Sequence, residues 1–149
     1  MRSHAERAYP NECCGLMLGT VAHGSNLIHQ TWAAENTWDA TIAETLADQP
    51  HLTQTRRYWI APQTFLHVMK TARQQGLDIL GIYHSHPDHP AVPSECDRRL
   101  AWPHYSYLIF SVEQGQATTC HSWHLDQNHQ FVAEMLLIQP QIPLGSASG

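Results

Sequence analysis

A chain of 149 residues with 42% hydrophobic content can build one core of ordinary size but not two independent domains. Charged residues make up only 14% and the formal charge is −5, so there is no broad basic surface to neutralise phosphates, and nucleic acid is not expected as a partner. No stretch approaches the roughly 20 apolar residues needed to cross a bilayer, and the polar opening Met1 to Pro10 lacks the apolar run of a secretory signal, so no membrane partner and a cytoplasmic location are expected.

The first residues up to Tyr9 can form a short helix, which Pro10 ends by pushing the residue before it out of the α region. Gly15-Leu16-Met17-Leu18-Gly19 is an apolar run bounded by glycines and reads as a buried strand. A second strand fits Asn26 to Ala33 and a third fits Tyr58-Trp59-Ile60. Between them, Glu35 to Arg57 is polar and weakly periodic, with one or two helical turns over Ala40 to Ala47, and is expected to be more mobile than the sheet. After Pro62, Phe65, Val68, Met69 and Ala72 fall at i, i+3, i+4 and i+7 and Gly76 follows as a C-cap, which predicts a helix with one buried stripe.

Ile79-Leu80-Gly81-Ile82-Tyr83 is a continuous apolar run of strand length, suited to the middle of a sheet with both faces covered. It leads directly into His84. A loop with Pro87, Pro90 and Pro93 comes next, then a helix from Ser94 to about Trp102. Strands are predicted at Tyr107 to Val112, Thr118 to His124 and Phe131 to Ile138, separated by turns at Glu113-Gln114-Gly115 and Asp126-Gln127-Asn128 and forming a meander. The order gives an α+β domain over residues 1–140, with a mainly antiparallel mixed sheet flanked by helices. Residues 141–149, rich in small polar residues, read as a disordered tail.

Cys13, Cys14, Cys96 and Cys120 suit neither a disulfide scaffold nor a CxxC zinc knuckle, and are expected to be reduced and mostly buried. Of the 12 histidines most are scattered among polar neighbours, and only one segment joins histidines to other potential ligands. His84 and His86 stand two apart at the end of a strand, where the period of two sends both imidazoles to one side and Ser85 to the other. The proline-rich loop then returns the chain so that Asp97, in the first turn of a helix capped by Ser94, can approach the same point. Two imidazoles and one carboxylate match an open zinc site, with three protein ligands at about 2.0 to 2.2 Å and a fourth position for water. His89 reads as a solvated loop residue, Cys96 as a packing residue, and the five tryptophans as core or interface aromatics.

His84-Ser85-His86-Pro87, six residues, then Ser94-Glu95-Cys96-Asp97 resembles the motif of JAMM (MPN+) zinc metalloproteases, with every defined position present. The family also places a glutamate just before the first glycine-bounded strand, and Glu12 in Pro10-Asn11-Glu12-Cys13-Cys14-Gly15 matches it. The resemblance covers Tyr9 to Val112 and looks most like the short bacterial single-domain members. It implies a cytidine-deaminase-like JAMM/MPN fold and one zinc ion per chain held by His84, His86 and Asp97. It also implies Glu12 as general base and Ser94 as oxyanion donor. The implied reaction is hydrolysis at the C-terminal Gly-Gly tail of a ubiquitin-like or sulfur-carrier (β-grasp) protein. Two other readings compete: a non-catalytic MPN module that recruits ubiquitin-like proteins, and a sulfur-metabolism protein using Cys13 or Cys14 as nucleophile. The oligomeric state is open, and a homo-oligomer is compatible with the sequence.

Overall fold

Residues 1–138 are described by a computed structural model, in which a first helix, α1 (Arg2–Ala8), ends where Tyr9 takes the extended backbone that a following proline imposes. The glycine-bounded run grows into β1 (Cys14–Ala22), which turns at His23-Gly24 into β2 (Ser25–Ala34). Two helices follow, α2 (Ala40–Thr45) and α3 (Pro62–Gln74), the latter started by proline and followed by Gly76 in the left-handed region at φ +69. The chain then forms β3 (Asp78–Pro87), α4 (Glu95–Leu100), β4 (Ser106–Glu113), β5 (Gln116–Leu125) and β6 (Phe131–Glu134).

The strands make one sheet in the order β2-β1-β3-β4-β5-β6. Only β3 and β4 run parallel; the remaining neighbours are antiparallel, and β4, β5 and β6 form the expected meander. The unbroken apolar run therefore lies in the interior of the sheet. Alternation sends Met17, Tyr83, Leu108 and Phe110 to the face covered by α1, and Leu16, Leu18 and Ile82 to the face where Val68 and Ala72 of α3 pack. Gly81 keeps β3 close to its neighbour, since a Cβ there would strike the Ser106 carbonyl.

Two expected elements differ. Tyr58-Trp59-Ile60 is not a strand: its backbone is held by single residues, with Asn36 Oδ1 accepting from Trp59 N and Thr37 N donating to Trp59 O. The last strand stops at Glu134 instead of reaching Ile138. Further along the outer edge of β5 the α1 side chains intervene, Glu6 accepting from Ala117 N and Arg2 donating to Ala117 O. Met135, Leu137 and Ile138 are 76 to 85% exposed. The 141–149 tail lies outside the described residues. Among the described residues no helix is long and apolar enough to cross a membrane.

Candidate functional site

The antiparallel register of β1 and β3 builds the site. Cys14 is the partner of His84, and Ser85 N still donates to Cys13 O at 3.2 Å beyond that pair. Carried one step further, the register sets Glu12 opposite His86, on the face that Ile82, His84 and His86 share. Ser85 points to the other face as expected, where its hydroxyl accepts from Cys13 N at 2.8 Å and locks the segment leading to Glu12.

His84, His86 and Asp97 converge as the spacing predicts. The two Nε2 atoms are 3.1 Å apart, His84 Nε2 is 3.3 Å from Asp97 Oδ1, and His86 Nε2 is 3.6 Å from Asp97 Oδ2. Four tetrahedral bonds of about 2.1 Å would separate neighbouring donors by about 3.4 Å, close to each of these three contacts, the carboxylate reaching the two histidines through different oxygens. The donor chemistry fits as well. His86 Nδ1 lies 2.8 Å from the Pro90 carbonyl, which fixes the ring with Nδ1–H donating and the Nε2 lone pair aimed at the cluster. Three electron-pair donors facing one another in a buried place repel unless a cation or protons sit among them. The ring of His84 is stacked on Tyr58 at 4.6 Å, and His84 Nδ1 has no hydrogen-bond partner among the described residues.

Electrostatics follow from this crowding. Burial holds His84 below its ordinary value, although Asp97 pulls the other way. For His86 burial acts downward too, but the neighbouring Asp97 carboxylate and the charge of Glu12 outweigh it and raise it. Asp97 is held well below the usual carboxylate range by the two histidines, against its own burial. Glu12, 6% exposed, is pushed by burial from 4.5 up to about 8, with His86 opposing and Asp97 adding to the rise.

Residues 1–126 match the family described as prokaryotic homologs of the JAB domain. The chain belongs to that family. It is 30% identical over 119 residues to the desampylase of Haloferax volcanii, a match covering 79% of this chain and 73% of that protein. It is also 30% identical over 112 residues to the probable TtuB-protein conjugate cleaving protease of Thermus thermophilus, covering 75% of this chain and 64% of that one. Among solved structures, a Desulfitobacterium hafniense protein superposes with a TM-score of 0.75 at 28% identity, over 96% of this chain and 88% of that one. A Salinibacter ruber protein does so with a TM-score of 0.66 at 35% identity, over the same shares.

In this JAB-family chain Ser94 and Asp97 form a reciprocal cap on α4. Asp97 N donates to Ser94 Oγ at 3.1 Å, and Ser94 N donates to Asp97 Oδ2 at 2.6 Å. One carboxylate oxygen thus serves the helix while Oδ1 faces His84. The Ser94 hydroxyl accepts here, so its own hydrogen is left for another acceptor. Ser94→Ala is expected to cost about 1 kcal/mol through the lost cap, read as a lower denaturation midpoint of the chelator-treated protein.

Glu12, His86, Ser94 and Asp97 all open on a pocket of about 490 Å³, whose lining also includes the apolar Ile60, Phe65 and Trp102. His89 stands on its rim, mostly solvated as expected. Trp38 is a core residue, whereas Trp102 is 62% exposed at the pocket. Trp123 Nε1 donates to Ala91 O at 3.1 Å and pins the proline-rich loop.

The cysteines need one correction. Only Cys13 and Cys14 are buried, and burial pushes both thiols up, Cys13 to about 11, which removes the thiolate a nucleophile needs. Cys96 does more than fill space: its Sγ donates to Asp48 Oδ2 at 3.2 Å, and Asp48 also accepts from Arg57 Nε at 2.7 Å. That pair ties α4 to the 35–57 segment. The segment expected to be loosest is therefore densely bonded, and its role at the site has no local sequence signal.

The Glu12 titration gives a stability test. As pH rises from 4.5 to about 8 the unfolded glutamate gives up its proton first, so stability is full below 4.5 and declines toward about 8. Glu12→Gln removes that decline. In chelator-treated protein the Tm of the variant minus that of the wild type is expected to grow between about pH 5 and pH 8; a flat difference contradicts the burial of an ionisable Glu12.

Proposed function

We propose that the chain is a zinc-dependent isopeptidase or peptidase acting on the C-terminal Gly-Gly tail of a ubiquitin-like or sulfur-carrier (β-grasp) protein. His84, His86 and Asp97 hold one zinc ion, and Glu12 and Ser94 carry the proton and oxyanion chemistry. The observation that carries this reading is the buried triangle of two Nε2 atoms and one carboxylate, with Glu12 across from His86 at the head of a pocket. The names of the two relatives, a desampylase and a conjugate cleaving protease, support the substrate class.

A zinc ion bound there supplies Lewis acidity and a lowered pKa for water. The Glu12 carboxylate takes a proton from the attacking water and later returns it to the leaving amine nitrogen. Burial of the Glu12 carboxyl raises its proton affinity, which favours acceptance of the proton from water. The free hydroxyl hydrogen of Ser94 donates to the oxygen that gains charge as the carbonyl is attacked. A slim Gly-Gly tail suits a pocket that leads to a site at the end of a strand. The full set of five positions speaks against a non-catalytic module, and the buried thiols speak against a cysteine nucleophile.

The test is incubation with a panel of β-grasp proteins carrying C-terminal amide adducts, read by intact mass. Release of the adduct from at least one is expected. Stable binding without cleavage across the panel would favour the recruiting module instead.

A further inference from the structure

Glu12 lies outside β1, two residues before the ladder begins at Cys14, so the sheet alone does not hold its backbone. Both of its main-chain groups are nevertheless bonded, and both by the 35–57 segment. Glu12 N donates to Gln54 O at 2.7 Å, and Glu12 O accepts from Asn36 Nδ2 at 3.0 Å. Asn36 Nδ2 also donates to Arg57 O at 2.9 Å, while Asn36 Oδ1 accepts from Trp38 N at 3.1 Å and Trp59 N at 3.2 Å.

A primary amide has two donor hydrogens and two acceptor lone pairs, and Asn36 uses all four on backbone groups. Its orientation is fixed by the same contacts, because exchanging N and O would oppose like groups at every one. Gln54 Nε2 closes the knot by donating to Asn36 O at 2.8 Å and Trp38 O at 3.2 Å. No other side chain of this size makes the set: aspartate lacks the donors, and glutamine is one methylene too long. Asn36 therefore links Glu12 directly to Arg57 and Trp59, which form one wall of the pocket.

We propose that Asn36 is a positioning residue for the reaction, fixing the Glu12 backbone against the substrate-binding wall so that the carboxylate meets the attacking water. The proposal rests on the reading of Glu12 as general base. A reacting group displaced by about 1 Å can lose on the order of 100-fold in rate, so loosening this cross-link is expected to lower turnover.

Asn36→Asp keeps the size and the two acceptors but turns an oxygen toward Glu12 O and Arg57 O. The substrate probe is a β-grasp protein whose C-terminal Gly-Gly is amide-linked to the lysine ε-amine of a fluorescein-labelled peptide, followed by anisotropy. The variant is expected to lose about 10- to 100-fold in kcat with KM changed less than about threefold. Amide exchange at Glu12 is expected to speed up while Ile79 to Tyr83 keep their protection. In a Glu12→Gln background the same substitution should cost less than about twofold, since no base remains to be misplaced. Equal losses in both backgrounds, a loss carried by KM alone, or unchanged exchange at Glu12 would overturn the proposal. If Asn36→Asp has no cooperative thermal transition, Asn36→Ala, which leaves room for water, takes its place; failure of both to fold assigns Asn36 to the fold and overturns the proposal too. Glu12→Gln cleaving like wild type is a different result, striking the general-base reading itself and this proposal with it.

Discussion

Glu12→Gln should keep the zinc content of wild type and lose turnover by about 100-fold or more, the effect of removing a general base. The substitution preserves size and hydrogen-bonding shape, and the backbone bonds of Glu12 to Gln54 and Asn36 do not depend on the side chain. His84, His86 and Asp97 complete their triangle without it. Metal analysis beside steady-state rates on the same preparation separates the two roles. Loss of zinc in the variant would make Glu12 a ligand, and an unchanged rate would leave the proton transfer without an owner.

The ligands should behave in the opposite way. Wild-type protein is expected to hold one zinc ion per chain, and the double substitution His84→Ala, His86→Ala none, with activity below detection. Removing both imidazoles leaves Asp97 as the one remaining member of the cluster, already engaged through Oδ2 in capping α4. Asp97→Asn replaces an anionic ligand by a neutral one and keeps an oxygen for the cap, so excess zinc should restore part of its activity. Undiminished zinc content in the double variant would move the metal site elsewhere.

The sequence made the cluster of His84, His86 and Asp97 legible because each of its steps is local. Strand alternation puts His84 and His86 on one face, and a first helical turn fixes Ser94 relative to Asp97. Glu12 was not legible in that way, since 72 residues separate it from His84 and a lone glutamate reads as a surface residue; only the family resemblance pointed to it. The register of Cys14 with His84 gives the physical reason for its place. Tyr58-Trp59-Ile60 misled because its β-forming side chains describe a local preference, whereas its backbone bonds go to Asn36 and Thr37 in place of a strand. Asn36 and the Asp48 partner of Cys96 left no trace either. Their roles come from hydrogen bonds across 21 to 48 residues, and no spacing rule anticipates those.

The most direct measurement is the intact mass of a Gly-Gly-linked β-grasp conjugate after incubation with the protein in ¹⁸O water, with the enzyme as purified, after chelation and after zinc is returned. A carrier ending at its glycine carboxylate with one ¹⁸O atom is expected from the purified enzyme, none after chelation, and the same product again once zinc is restored. Cleavage that continues undiminished in the chelated protein would contradict the assignment of the chemistry to a metal held by His84, His86 and Asp97.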